Sequence, residues 1–234
     1  MDWITTLVTL TEIVGTIAFS ISGAVVAIRK QMDILGVIVL GVVTAVGGGV
    51  IRDVLLGLTP PTAFIKSVYV TWATVAAIVV FLIANRKSSG RNHQWWDTFL
   101  NVADAVGLGI FAVMGVRTAL ANGYGDNAFL SIFLGVLTGV GGGLLRDTMA
   151  REVPKIFRKR IYAVAAWLGA AMYYYTIGMG LAEAAAIILS SAAVVVIRML
   201  ATHYEWNLPR ARYGDECTLT RKDTKPAEKK DAMK

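Results

Sequence analysis

Gly47-Gly48-Gly49-Val50-Ile51-Arg52-Asp53 and Gly141-Gly142-Gly143-Leu144-Leu145-Arg146-Asp147 are two copies of one phrase in a chain of 234 residues. Each copy lies inside an apolar run. Glycine in a helix interior costs about 1 kcal/mol relative to alanine, so each triplet weakens its helix by roughly 3 kcal/mol. An Arg-Asp pair is costly to keep inside an apolar segment. A span that carries both features in each half is predicted to be built around a break in the helix, which points to a path for a polar solute.

The repeat extends well beyond the triplets. At an offset of 94, Leu40-Gly41-Val42-Val43-Thr44-Ala45-Val46 matches Leu134-Gly135-Val136-Leu137-Thr138-Gly139-Val140, and Pro60 matches Pro154. At an offset of 92, Glu12, Gly15, Phe19 and Gly23 match Asp104, Gly107, Phe111 and Gly115. A two-residue insertion near Asn122–Asp126 accounts for the change of offset. A duplication of this length governs the reading of the fold.

Composition sets the class. The chain is 56% hydrophobic and 17% charged, against about 25% charged in soluble domains. A helix needs about 20 mainly apolar residues to cross a hydrocarbon core about 30 Å thick. Seven runs qualify: 4–28, 34–57, 67–85, 98–120, 128–150, 160–178 and 182–202. The N-terminus, Met-Asp-Trp-Ile, lacks the basic start of a signal peptide, so the first run is expected to be retained. With a single cysteine, Cys217, no intrachain disulfide forms. His93 and His203 are far apart in sequence and suggest no metal site. There is no nucleophile elbow, P-loop lysine or zinc spacing. The sequence therefore predicts no enzyme, no cofactor and no metal beyond permeating monovalent cations.

The net charge of +7 is distributed by loop and does not suggest nucleic acid. Arg29 and Lys30 lie between the first and second spans. Arg86, Lys87 and Arg91 follow the third; Arg151, Lys155, Arg158, Lys159 and Arg160 follow the fifth. The opposite loops carry Lys66, and Arg117 lies at a span end. This asymmetry predicts an N-terminus outside and a C-terminus in the cytoplasm. The domain organisation expected is one transmembrane unit over 1–204, with repeat one at 4–85, repeat two at 98–178 and the last helix at 182–202. The segment 205–234 has eight basic and six acidic residues without apolar periodicity, and it is expected to be a disordered cytoplasmic tail.

Three spans per copy force the copies to enter the bilayer from opposite sides, as inverted repeats. In transporters of this symmetry the solute site lies near the midplane between discontinuous helices. Gly47 is about 13 residues into its span, roughly 20 Å from its start, and Gly141 mirrors it from the other side. Carbonyls freed near Thr44–Gly47 and Thr138–Gly141 would line a cation path, with the Thr44 and Thr138 hydroxyls assisting. The competing reading is close packing, because small residues let helix backbones approach. Ionisable residues within spans are functional candidates. Here they are Glu12, Arg52 and Asp53 in one half, and Asp104, Arg146 and Asp147 in the other. Depth predicts two ion pairs, Glu12–Arg52 and Asp104–Arg146. Asp53 and Asp147 point about 100° from their arginines, toward either a pore mouth or a loop amide near Pro60 and Pro154.

Together, the paired Gly-Gly-Gly-x-x-Arg-Asp motifs, the three-plus-three-plus-one spans and the topology resemble the trimeric intracellular cation channel family in its prokaryotic branch. The resemblance covers about residues 8–203. It implies a homotrimer in a microbial inner membrane, one potassium-preferring pore per protomer, and helices kinked at Gly47, Gly48, Gly49 and at Gly141, Gly142, Gly143. The partners implied are lipids and permeating potassium or sodium ions. A secondary transporter for a small zwitterion such as glycine fits inverted repeats and broken helices as well. A purely structural scaffold leaves the recurring glycines unexplained.

Overall fold

The computed structural model describes residues 3–86, 93–158 and 161–204. The tail, 205–234, lies outside the described residues. Among the described residues the chain is all-helical. Seven helices have 18 residues or more: α1 (Trp3–Arg29), α2 (Ile34–Leu55), α4 (Ser67–Arg86), α5 (His93–Ala121), α6 (Ala128–Met149), α8 (Ile161–Gly178) and α9 (Glu183–His203). Two four-residue helices, α3 (Thr62–Ile65) and α7 (Lys155–Arg158), interrupt the loops after the Arg-Asp pairs. Six of the long helices are long and apolar enough to cross a membrane. The exception is α8, whose 18 residues include Trp167 and three consecutive tyrosines, Tyr173, Tyr174 and Tyr175.

Local chemistry is duplicated along with the sequence. Asp33 caps the N-terminus of α2 through the amide of Gly36 at 2.7 Å, and Asn127 caps α6 through that of Leu130 at 3.0 Å. Such caps satisfy amides that the helix start leaves without partners. Packing repeats too. A Cβ on Gly23 would lie 2.6 Å from both the Leu40 carbonyl oxygen and Thr44 Oγ1; on Gly115 it would lie 2.7 Å from the Leu134 oxygen and 2.6 Å from Thr138 Oγ1. Each copy thus clasps its first and second long helices through glycine, bringing backbones into direct contact.

At the centre, α2 crosses α6. A Cβ on Gly48 would lie 2.2 Å from the Thr138 carbonyl oxygen, and one on Gly142 would lie 2.1 Å from that of Thr44. Pairing 48 with 138 and 44 with 142 runs the two helices in opposite directions, as inverted copies require. Arg52 and Arg146 therefore sit at opposite ends of the bundle. The basic loops gather at one end, where Arg29 pairs with Asp97 at 2.7 Å and Lys30 with Glu152 at 2.8 Å. At the other end Arg117 joins α5 to Glu183 of α9 at 2.7 Å. Helix α9, which has no counterpart in the repeat, packs against α5 and α8. Its Val194 Cγ2 is the atom nearest a Cβ built on Gly169, at 2.0 Å.

The expected break at the triplets is not present as an interruption of helix. Both α2 and α6 are assigned as continuous α-helix through Gly47–Gly49 and Gly141–Gly143. The reason is the crossing itself: two backbones in contact exclude water, and an opened turn there would leave amides and carbonyls without partners. In this conformation the middle glycine of each triplet makes the close approach.

Candidate functional site

The Arg-Asp pairs close the C-terminal turns of α2 and α6 in the same way. Arg52 donates from Nε and Nη2 to Asp53 Oδ1 at 2.8 and 2.7 Å. Arg146 donates from Nε to Asp147 Oδ1 at 2.8 Å. The other carboxylate oxygen takes a loop amide, Thr62 N on Asp53 and Lys155 N on Asp147, each at 2.8 Å. Both amides lie just past Pro60 and Pro154 and open the short helices α3 and α7. Of the two roles open to the aspartates, the loop amide is the one the geometry shows. Asp53 and Asp147 are 1% and 2% exposed, so their charges are met entirely by guanidinium and backbone.

The first-helix acids differ between the copies. Asp104 on α5 accepts from Arg146 Nη1 at 2.6 Å, so the expected pair forms. Ser22 of α1 joins it, taking a hydrogen bond from the same nitrogen and lying 3.4 Å from Asp104 Oδ1. Around the second Asp104 oxygen stand Lys155 Nζ at 3.6 Å and Arg198 Nη2 at 4.0 Å. The Arg198 guanidinium also lies 4.7 Å over the ring of Tyr162. Asp104 and Arg146 are 0% exposed. An isolated charge so placed would be strongly destabilising; a bonded cluster is tolerated.

The expected Glu12–Arg52 pair does not form. Arg52 turns its Nε and one Nη onto Asp53, and Glu12 instead accepts a hydrogen bond from the Tyr69 hydroxyl of α4. A cavity of about 50 Å³ opens beside them, lined by Glu12, Thr16, Gly49, Arg52, Tyr69 and Phe111 among others. Phe111 of α5 forms part of its wall. Its ring lies 5.4 Å from that of Phe19, centroid to centroid, and these two are repeat mates from α1 and α5. The tilted pair, with its ring planes 31° apart, thus lies between the Glu12 cavity on one side and the Asp104 cluster on the other.

Thr44 and Thr138 donate their hydroxyl protons to Leu40 and Leu134 carbonyls of their own helices, each at 2.6 Å. Their backbone oxygens are the ones against Gly142 and Gly48. Gly49 and Gly143 face outward from the crossing, toward the charged ends. The nearest atom to a Cβ on Gly49 would be Arg52 Nη2 at 3.7 Å; on Gly143 it would be the Tyr162 hydroxyl at 2.9 Å. No group of histidine, cysteine or carboxylate side chains able to hold a metal ion occurs among the described residues.

A family model described as glycine transporter matches residues 9–85 and again residues 101–177, one match on each repeat. The UPF0126 membrane protein of Vibrio cholerae is 37% identical over 205 residues, covering 88% of this chain and 83% of that protein. The UPF0126 inner membrane protein YadS of Escherichia coli is 37% identical over 207 residues, covering 85% and 93%. Among solved structures, the TRIC trimeric intracellular cation channel orthologue from Rhodobacter sphaeroides has a TM-score of 0.78 at 37% identity, covering 86% of this chain and 100% of that one. The chain belongs to the TRIC family, in its prokaryotic branch. A prokaryotic TRIC channel crystallised in 0.5 M KCl has a TM-score of 0.79 at 32% identity, covering 87% and 100%. The solved neighbours of this TRIC-family chain are cation channels, not enzymes.

Sequence reasoning missed Ser22, Tyr69, Tyr162, Lys155 and Arg198. A signal for three of them was available. After the prolines the offset becomes 93, and at 93 Tyr69 matches Tyr162 and Thr62 matches Lys155. Tyr69 and Tyr162 therefore stand at equivalent stations beside Glu12 and Asp104. Ser22 and Arg198 have no such mark.

Proposed function

We propose that this chain is a monovalent-cation channel, potassium-preferring, assembled as a homotrimer with one path in each protomer. The reading rests on one observation above the others: solved cation channels share 37% identity with this chain and align over almost their full length. Buried ionisable groups at both ends of the α2–α6 crossing support it, since charges within spans mark ion pathways. The protein sits in a microbial inner membrane with its N-terminus outside and its basic loops in the cytoplasm. Helix α8 is the remaining span of one seven-helix unit reaching residue 204, and 205–234 is a cytoplasmic tail.

The path enters at the Glu12 cavity, passes the Phe19–Phe111 pair and leaves by the Asp104 cluster. Gly47, Gly48, Gly49, Gly141, Gly142 and Gly143 are the hinges, because bending and separating the helices costs least where there are no side chains. Arg52 and Arg146, fixed by Asp53 and Asp147, hold the helix ends while the middle moves. In the conformation described, the crossing and the phenylalanine pair are closed.

The glycine-transporter description of the family model keeps one competing reading in view, alternating access for a small zwitterion across the same inverted repeats. Single-channel recording of the purified protein in planar bilayers under a KCl gradient separates the two. Discrete steps reversing near the potassium equilibrium potential are expected. A silent bilayer, together with saturable glycine uptake into liposomes, would replace the channel with the transporter.

A further inference from the structure

The two ends of the proposed path are built from repeat mates, yet they carry opposite charge. At the Glu12 end, the clustered side chains are two carboxylates, Glu12 and Asp53, against one guanidinium, Arg52, a formal net charge of −1. At the other end Asp104 and Asp147 face Arg146, Lys155 and Arg198, a formal net charge of +1.

The difference has two sources. Thr62 and Lys155 occupy the same station, each giving its backbone amide to an aspartate at 2.8 Å. One carries a hydroxyl and the other an ammonium group 3.6 Å from Asp104 Oδ2. Arg198 comes from α9, outside the duplication, and reaches to 4.0 Å from the same oxygen. Both cations are held inside the protein, with side chains 18% and 3% exposed, so salt screens them far less than it screens a surface charge.

We propose that Lys155 and Arg198 make conduction one-sided, so that potassium passes more readily from the Glu12 end to the Asp104 end than in reverse. This rests on the channel reading above. Charged side chains lining a narrow path set the energy of the permeating ion. Here a cation is attracted at the Glu12 end and repelled at the Asp104 end, so the barrier lies toward the second. A potential of 100 mV acting on a unit charge across the whole membrane changes a rate by about 50-fold. A barrier roughly three-quarters of the way across takes three-quarters of that exponent in one direction and one-quarter in the other. The ratio of opposite currents then approaches about sevenfold at 100 mV.

The test is a measurement of currents at +100 and −100 mV in symmetric KCl, on patches from giant liposomes carrying the whole protein. Sidedness is fixed by labelling Cys217, the chain's one cysteine and beyond the end of α9, with a membrane-impermeant maleimide. The expected ratio is roughly three- to sevenfold in favour of flow from the Glu12 end. Lys155→Thr, which installs the repeat mate's side chain, lowers the ratio, and Lys155→Thr with Arg198→Gln brings it near one. Thr62→Lys, placed at the opposite end, also moves the ratio toward one and does not depend on the buried cluster refolding. Equal currents in both directions in the wild type overturn the proposal, as does a ratio opposite in sign or one unchanged in Lys155→Thr and Thr62→Lys. Absence of any current in the wild type overturns the channel reading itself and this inference with it.

Discussion

Gly142 rests against the carbonyl oxygen of Thr44 so closely that a methyl group added to it would stand 2.1 Å from that oxygen. Gly48 makes the reciprocal contact on Thr138. At both positions the two nearest atoms are backbone, the threonine carbonyl oxygen and carbon. At Gly47 the nearest atom is the end of the Leu145 side chain, at 2.5 Å, and at Gly49 there is only Arg52 Nη2, at 3.7 Å.

The triplet is thus graded, and alanine substitution should report the grading. Gly48→Ala and Gly142→Ala are expected to lower stability by about 3 kcal/mol or more, because overpacking against backbone cannot relax by rotamer change. Gly49→Ala should be neutral or stabilising by up to about 1 kcal/mol through helix propensity. Thermal unfolding in detergent, followed by size-exclusion elution, distinguishes them. Equal losses at all three positions would show that conformational freedom, and not close approach, is what each glycine supplies.

Asp104 and Glu12 are repeat mates in unlike settings, one sealed among cations and one beside a cavity. Asp104→Asn leaves Arg146 and its neighbours short of a buried counter-charge and is expected to cost about 3–5 kcal/mol. Glu12→Gln keeps a hydrogen-bond acceptor for Tyr69 and is expected to cost under about 1 kcal/mol. Melting temperatures of the two variants in one detergent are the check, and similar losses would contradict the asymmetry.

Asp53 and Asp147 each tie a loop to the end of a helix through one backbone amide. Asn at either position keeps the shape but removes a charge-assisted hydrogen bond and the ion pair, for an expected loss of about 1.5–3 kcal/mol. Release should be local. Limited proteolysis of Asp147→Asn is expected to cut first between residues 150 and 155, and that of Asp53→Asn between 57 and 62. Unchanged cleavage patterns would mean that the short helices hold these loops without the carboxylate.

Phe111 and Phe19 meet at the centre of the proposed path. Phe111→Ala removes a ring that forms part of the cavity wall and is expected to raise potassium flux into liposomes severalfold without changing the ion preferred. Stopped-flow flux measurement against wild type tests this. A variant that stays folded with unaltered flux would place the path elsewhere in the bundle.

Much of this arrangement was legible in the chain. The duplication was plain because paired glycines and paired Arg-Asp steps are rare in apolar runs, and it carried the reading of inverted copies. Asp104–Arg146 followed from depth alone, since two opposite charges at one level in an apolar medium have few other partners. Glu12–Arg52 followed from the same logic and failed, because depth does not reveal a competing donor. Tyr69 belongs to a third helix and reaches Glu12, while Arg52 closes on its own neighbour. Arg198 was invisible for a related reason: α9 lies outside the repeat, so nothing in the first copy marks the position. The continuous helices at the triplets show the limit of propensity. A local preference against helix was overridden by two backbones pressed together where water cannot enter.

Phe19 and Phe111 are each other's counterparts under the duplication, so the point where they meet belongs equally to both copies. A displacement on one side removes the other ring's partner at the same instant. In the proposed path the closure at the centre is therefore shared by both copies, even though the two ends of the molecule are chemically unlike.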